Sequence, residues 1–372
     1  MELNDCKTTE QRNTFLEKKL SLSLSTLTQA TVDVDENVHC ENRIGSVSLP
    51  LGVAGPFFVQ GEEIKGEYYL PLATTEGALV ASVNRGAKAC FEKGIITSVE
   101  RVGVTRGPVL KVNTPSQANK VEKWIWEHMS ELAEKAQETS SHIRLMDVVI
   151  KKAGMYIFLR LSFDTDQAMG MNMATIASQI IVDHISKKTK SSTISVAGNF
   201  DIDKKPAWLN SIYGRGYMVQ AEAIINKETV SSLLKTTPKK IEQVWKAKCM
   251  IGSALSGSIG FNAHHANIIA AIYAATGQDI AHTVEGSLGM TIIEVMSDES
   301  LYISVNLPSI LVGMIGGGTK LKTQSEAQSI MNIKSSQGFS ELIGAGVLAG
   351  ELSLLASLSE GSLASTHKRL GR

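Results

Sequence analysis

Apolar and small residues fill nearly every position from 252 to 279, GSALSGSIGFNAHHANIIAAIYAATGQD. Ile259, Ala263, Ala266, Ile269, Ala270 and Tyr273 recur at helical spacing, and Ala254, Leu255, Ile268 and Ile272 cover the other faces. The pattern predicts one long helix, buried on all sides, around which the rest of the chain is organised. Asn262, His264, His265 and Asn267 interrupt it, and each needs a partner if buried. Gly277 suits the position after a helix C-terminus. Asp279 then meets the negative end of the helix dipole, so some other group must stabilise or use it.

Taken in order, residues 1–35 are polar and predict a short helical arm with Phe15, Leu16 and Leu20 as its apolar side. Residues 36–72 carry turn signals around short strands, with Pro50, Gly52, Gly55 and Pro56 as punctuation. ATTEGALVASVNRGAKACFEKG predicts a helix capped by Thr74 or Thr75 and ended by Gly94. Residues 107–198 follow a pattern of their own: a strand at 109–112, an amphipathic helix at 116–138, and strands at 142–150 and 155–163 joined by a turn. A helix at 169–187 and a strand at 193–197 complete it. The order β-α-β-β-α-β is a ferredoxin-like split βαβ unit. It predicts a small domain (107–198) inserted into a larger one made of 51–106 and 199–372, with 1–50 as an N-terminal arm. Beyond the insert come a strand at 217–225, a basic helix at 238–248, the central helix and a strand pair at 290–295 and 301–307. The glycine loop GMIGGGTK and a last apolar helix at 341–358 close the chain. The fold class is α+β.

Composition narrows the possible roles. A length of 372 residues fits about two domains on the usual prior of ~150 residues each, and 43% hydrophobic content is ample for a large core. Lys and Arg number 37 and so do Asp and Glu, which leaves no global field for nucleic acid or an anionic membrane. Cys6, Cys40, Cys90 and Cys249 are scattered with no CxxC pair, as expected of free thiols in a reducing compartment. There is no basic-then-apolar leader and no run of ~20 uninterrupted apolar residues. A cytoplasmic protein without membrane or nucleic-acid partners is expected.

Candidate chemistry is sparse at first sight. No GxGxxG follows a strand, and there is no Walker loop or HExxH. His264 and His265 are adjacent and face different ways on a helix, so no metal is expected. Glu76 in TTEG is either a carboxylate complementing a helix dipole or a general acid raised by burial. Lys204 and Lys205 in DKKP are either a solvated charge run or ammonium groups aimed at an oxyanion. AMGMNM is either core filler or a ligand contact, with Gly170 at a helix start able to admit a pyrophosphate. GGGT is either a plain loop or a stretch on which a ligand lies against backbone. His367 stands near the C-terminus. Singly these signals are weak.

Together they carry a resemblance. ENRIG, PLGVAGP, TTEGALVASVNRG, TRGPV, AMGMNM, DKKP, GRGYMVQAEA, the 252–279 stretch, LYISVNLPS, GGGT and AGELSLLASL resemble, in that order, the 3-hydroxy-3-methylglutaryl-coenzyme A (HMG-CoA) reductase family in its class I form, from about 41 to 367. The resemblance implies reduction of HMG-CoA to mevalonate and coenzyme A with two hydrides from NADPH, NADH being the alternative. It implies Glu76, Lys204, Asp279 and His367 as catalytic residues. Ser82, Asn84 and Arg85 match coenzyme A contacts, Arg106 and Lys205 match contacts to the substrate carboxylate, and Lys248, His264 and Asn267 match further pocket residues. On the cofactor side it implies Ala168, Met169, Gly170, Met171, Asn172, Gly316, Gly317 and Gly318. Ser140 and Ser141 stand where a class I relative often offers Ser-Arg to a 2′-phosphate, so discrimination for NADPH is expected to be weak. Gln167 replaces the usual acid of DAMGMNM. An obligate homodimer is implied, with a tetramer left open and residues 1–50 as a dimer contact. In such a site a cation stabilises the oxyanion formed by hydride attack. Asp279, if close to Glu76, would raise its pKa. The rival reading is a non-catalytic module that keeps the fold and binds an acyl-CoA or another ligand.

Overall fold

A computed structural model describes Cys6, residues 8–21, Ser23 and residues 40–361; His367 lies outside them. Ten strands form one sheet: β1 (Leu51–Gly61), β2 (Lys65–Ala73), β3 (Ile95–Arg106), β4 (Val109–Lys111), β5 (Arg144–Ala153), β6 (Tyr156–Asp164), β7 (Ser192–Ser195), β8 (Gly216–Ile225), β9 (Met290–Val295) and β10 (Leu301–Ile310). Its main path runs β7-β4-β6-β3-β8-β10-β9, with β1 and β2 beside β3 and β5 beside β6. The long strand β3 joins two regions. Its start pairs with β1 and β8, while Val104–Arg106 pair with β6.

The principal helices are α1 (Thr9–Leu20), α2 (Leu79–Cys90), α3 (Pro115–Glu127), α4 (Met129–Gln137), α5 (Met171–Thr189), α6 (His265–Thr276) and α7 (Ser336–Glu360). Two hydrophobic clusters result. One lies among α3, α4 and α5 and the antiparallel strands β5-β6-β4-β7, with Ile125, Leu132, Leu161 and Ile181 fully buried. The other, larger cluster packs α2, α6 and α7 against β1, β2, β8 and β10 through Phe57, Leu70, Val219, Ile272 and Leu348.

The predicted central helix is not continuous. A wide helical turn at Lys246–Gly252 runs into Ser253–Ser256, and Gly257 then adopts φ +68° and ends the helix. Regular α-helix resumes only at His265. Glycine and serine stabilise helix poorly, and the Asn262 amide bonds the carbonyls of Ser287 and Gly289 instead. The helix that organises the core is α7, 25 residues long and capped by the Ser335 side chain. It is long and apolar enough to cross a membrane, but 78% of its most apolar window is buried inside the protein.

Other boundaries shift for local reasons. The helix expected at 116–138 divides at His128, whose φ of −122° leaves the helical region while its ring bonds the Trp124 carbonyl. The β5–β6 hairpin turns at Gly154 and Met155, so β5 runs on through most of the expected turn while β6 begins one residue later than expected. Helix α2 starts at Leu79, after Ala78 at φ +74°, and has no side-chain cap; the Thr74 hydroxyl accepts from the Glu76 N–H instead. Helix α1 buries Asn13, not the expected apolar side, and Leu20 is 57% exposed. Hydrogen bonds from Asn13 to the Ile44 carbonyl and from Arg12 to the Arg43 carbonyl fasten it.

Candidate active site

Three loops meet at the C-terminal end of α6. The tight turn at Gly277 lets the chain pass against Gly318, whose carbonyl would lie 2.3 Å from a Cβ at Gly277. Gln278 exchanges two hydrogen bonds with the backbone of Gly313. The Met314 N–H bonds the Gln167 carbonyl, and Ala168 pairs with Ile315. These ties bring Ala168, Met169, Gly170, Met171 and Asn172 to one open cleft with Gly316, Gly317 and Gly318. Arg106, Lys204 and Asp279 line the same cleft. Gly170 stands before the first turn of the 19-residue helix α5, an N-terminus suited to a phosphate. Gly316 and Gly317 have no atom within 4 Å of a would-be Cβ, so their backbone is open to a ligand.

The Lys204 ammonium lies 2.8 Å from the Asp279 carboxylate. Asp279 also accepts from the Ala281 N–H and caps the turn Ile280–His282, which offsets its position beyond the α6 C-terminus. Burial pushes its carboxyl up, but the Lys204 bond, the His282 charge and the Ala281 N–H outweigh this and leave it below the usual range. Lys204 itself adopts φ +56°, an unfavourable conformation for a side chain with a Cβ. Its N–H is held by Glu285. Glu285 is fully buried and also receives Arg215 at 2.5 Å and the His282 ring at 2.7 Å. Arg215 reaches Asp203 at 3.0 Å as well. Carboxylate and imidazole atoms of Asp203, His282 and Glu285 lie within 4.8 Å of one another, as at a metal centre. The guanidinium of Arg215 already supplies the cation there.

A second cluster stands at the other end of α6. Glu76 is exposed in the bend before α2 and accepts a hydrogen bond from the Asn267 amide at 3.2 Å. Lys248, His264 and Asn267 line one shallow pocket. His264 Nε2 is buried there with no hydrogen-bond partner. The loop entering α6 is held by Glu351 of α7, which accepts the N–H groups of Ala263 and His264 and the Thr291 hydroxyl. Ten residues of helix separate Asn267 from Gly277, roughly 15 Å at 1.5 Å per residue. Glu76 and Asp279 of one chain therefore stand apart, and Asp279 is not the neighbour expected to raise the Glu76 carboxyl. Burial, the other expected cause, is also missing within one chain.

The remaining expected residues fall around these clusters. Arg106 bonds Thr175 and pairs with Asp201 and Asp203 at 3.4 Å. Lys205 is exposed and donates to the Asp203 carbonyl. Ser82 and Arg85 bond Ser353 of α7, Arg85 also reaches Ser357, and Asn84 accepts the Gly55 N–H. Ser140 accepts the His142 N–H, and the His142 ring meets Asp166 at 3.1 Å. Ser141 is exposed in the same turn. Gln167 replaces an acid yet bonds the Ser336 N–H at the start of α7. Sequence reasoning passed over Arg215, His282, Glu285 and Glu351. Their sequence neighbourhoods carry no sign of burial, and only burial obliges a charge to find a partner.

Comparison with known proteins follows this geometry. The family model described as hydroxymethylglutaryl-coenzyme A reductase matches residues 8–372. The chain is 45% identical over 368 residues to the 3-hydroxy-3-methylglutaryl-coenzyme A reductase of Methanothermobacter thermautotrophicus, covering 97% of this chain and 92% of that protein. It is 45% identical over 377 residues to that of Pyrococcus abyssi, covering 98% and 92%. The class II reductase of Streptococcus pneumoniae bound to NADPH shares the fold at a TM-score of 0.70 and 19% identity, covering 95% of this chain and 98% of that one. The chain belongs to the hydroxymethylglutaryl-coenzyme A reductase family.

Proposed function

We propose that the two clusters are halves of one site, completed when a second copy brings its Glu76 end of α6 to the Lys204 end of the first. The chain is an HMG-CoA reductase of the mevalonate pathway. The observation that carries the composite reading is the span of α6, which keeps Glu76 and Asp279 of one chain on opposite ends. A second support is the sheet face opposite α7. Ile96, Ile224, Met290 and Ile292 are exposed there on neighbouring strands. They alternate across that face with Gln220, Glu222, Ser304 and Asn306, the mixed polar and apolar character of a protein interface.

In this reading the Gly170 and Gly316–Gly317 backbones would hold two nicotinamide cofactor molecules in turn, and each would supply one hydride. Lys204, aimed by Asp279, stabilises the oxyanion that develops at the thioester carbonyl; removing one such group typically costs ~10²–10³ in rate. Glu76, desolvated by the partner chain, delivers the proton for the alcohol. His367 protonates the departing coenzyme A thiolate. Arg106 and Lys205 meet the substrate carboxylate, while Lys248, His264 and Asn267 complete the substrate pocket. Ser82, Asn84 and Arg85 exchange their present partners for coenzyme A. NADPH is the favoured cofactor, with Ser140 and Ser141 beside its ribose. The 107–198 unit, with its own hydrophobic cluster, is the cofactor domain, 51–106 with 199–372 the substrate domain, and 1–50 an arm against the partner. Among the described residues no cysteine forms a disulfide, and the burial of Cys6, Cys90 and Cys249 fits a cytoplasmic setting.

Complementation tests the composite site. Glu76→Gln and Lys204→Ala chains, each inactive alone, are unfolded together and refolded as a mixture. Random pairing of two copies makes half the dimers mixed, each with one intact site, so about a quarter of the wild-type rate returns. A mixture as inactive as its parents, with mixed dimers demonstrated by mass, would refute the proposal.

A further inference from the structure

The ring of His282 is fully buried between two carboxylates. Glu285 Oε1 lies 2.7 Å from Nδ1, and Asp279 Oδ2 lies 3.6 Å from Nε2. Nε2 has no hydrogen-bond partner. A neutral imidazole carries one N–H and one lone pair. The short contact with Glu285 requires the proton on Nδ1, because two lone pairs would otherwise meet at hydrogen-bond distance. The neutral ring would then turn the Nε2 lone pair toward the Asp279 carboxylate. Only the imidazolium offers a donor to both.

Charged groups of both signs face the ring from several elements. Asp203 Oδ1, from the loop after β7, lies 3.8 Å from Nδ1. Arg215, just ahead of β8, stands 3.5 Å from Nδ1 and pairs with Glu285 and Asp203. Lys204 holds the far side of Asp279. Burial first, then the Glu285 and Asp279 charges, keep the Tyr273 hydroxyl of α6 protonated. Arg106 meets Asp203 from the other side at 3.4 Å and pairs with Asp201 as well.

We propose that His282 is a positioning residue for the reaction. As an imidazolium it holds Asp279 from behind, so that Asp279 keeps the Lys204 ammonium aimed at the reacting carbonyl. Loss of the proton turns a lone pair on Asp279 and releases the hold. The proposal rests on the reading of Lys204 as the group that stabilises the oxyanion.

The test follows reduction of mevaldehyde at the nicotinamide absorbance, with the whole protein, from about pH 6 to about pH 9, the range in which imidazoles lose their protons. Mevaldehyde releases no thiolate, so His367 does not enter. Wild-type kcat should fall on the alkaline side. His282→Gln keeps a side-chain N–H that does not titrate, so its kcat should no longer fall over that range, with KM within about twofold. His282→Leu offers no donor and should lose roughly 10–10²-fold in kcat at every pH through misplacement of Lys204. Superimposable pH profiles for wild type and His282→Gln overturn the proposal. Should His282→Gln not fold, Glu285→Gln decides: with the anion gone from Nδ1, the alkaline fall must move to lower pH, and an unmoved fall overturns the proposal. A Lys204→Ala protein that reduces mevaldehyde normally sinks the reading of the site itself, and this inference with it.

Discussion

Single residues in this protein are defined by what surrounds them. Lys204 and Lys205 are neighbours in sequence and both exposed. Only Lys204 has its N–H pinned to a buried glutamate and its ammonium on Asp279. Under the proposed function that difference leaves Lys204 as the group beside the reacting carbonyl. Lys204→Ala should abolish reduction of both HMG-CoA and mevaldehyde while HMG-CoA still binds within about tenfold, because oxyanion charge develops only in the transition state. His367→Gln should cripple HMG-CoA reduction but largely spare mevaldehyde, from which no thiolate departs. Steady-state rates of the two variants on the two substrates check both expectations. Equal losses for His367→Gln on a folded protein would remove it from the mechanism.

At the scale of elements, α7 is the common support. Its first turn meets Gln167 at the edge of the 168–172 loop, and Glu341 accepts three N–H groups of the β1–β2 turn. Glu351 holds the entrance to α6, and Ser353 binds Ser82 and Arg85. The two buried glutamates respond to pH in opposite ways. For Glu351, burial raises the carboxyl, but His265, His264, Thr291 and the Ala263 N–H leave it lowered. Its stabilisation is present above the unfolded value of about 4.3 and is lost as pH falls through the folded one. Burial pushes His265, beside it, down to about 4. The unfolded chain therefore takes up a proton there first, and stability falls as pH drops from about 6.5 toward 4. Burial raises Glu341 despite its three backbone donors, so its contribution is present at acid pH and is lost as pH rises through the folded value. Urea unfolding at neutral pH should show a loss of about 1–3 kcal/mol for Glu351→Gln, which leaves N–H groups less well satisfied. Glu341→Gln should lose less, since it also removes an unfavourable buried charge. Equal losses for the two would contradict this account.

For the whole molecule, β3 ties β4, β5, β6 and β7 to the rest of the sheet, and the cleft lined by Lys204, Asp279 and Gly316–Gly318 is open. The turn holding Ser140 and Ser141 lies outside the cleft lining, and the His142–Asp166 contact ties it to the loop that leads into the cleft. A serine hydroxyl is a poor substitute for a bidentate arginine on a phosphate. NADH should therefore support measurable turnover, with NADPH preferred by less than about a thousandfold. Parallel kcat/KM measurements with the two cofactors decide it, and a larger preference would mean that another basic group reads the 2′-phosphate.

The sequence by itself determined the family, the α+β class, the strand at nearly every expected place and the candidate residues Glu76, Lys204 and Asp279. Strand alternation and short ordered motifs are local properties, and local properties survive in a one-dimensional reading. It also showed that Asp279, stranded past a helix end, needed a partner. Which partner was a matter of tertiary structure, since Lys204 lies far away in sequence. Helix 252–279 failed as a prediction because apolar periodicity does not register the conformational freedom of Gly257 or the pull of the Asn262 amide on distant carbonyls. The buried Arg215–Glu285–His282 group and the two glutamates of α7 were invisible for a related reason. A charged residue in a sequence gives no sign of its burial, and burial is what turns a charge from a solvated side chain into a fixed part of a site. Tertiary structure also set the two candidate clusters at opposite ends of α6, because a rigid helix fixes a distance that neighbouring motifs in a sequence do not express.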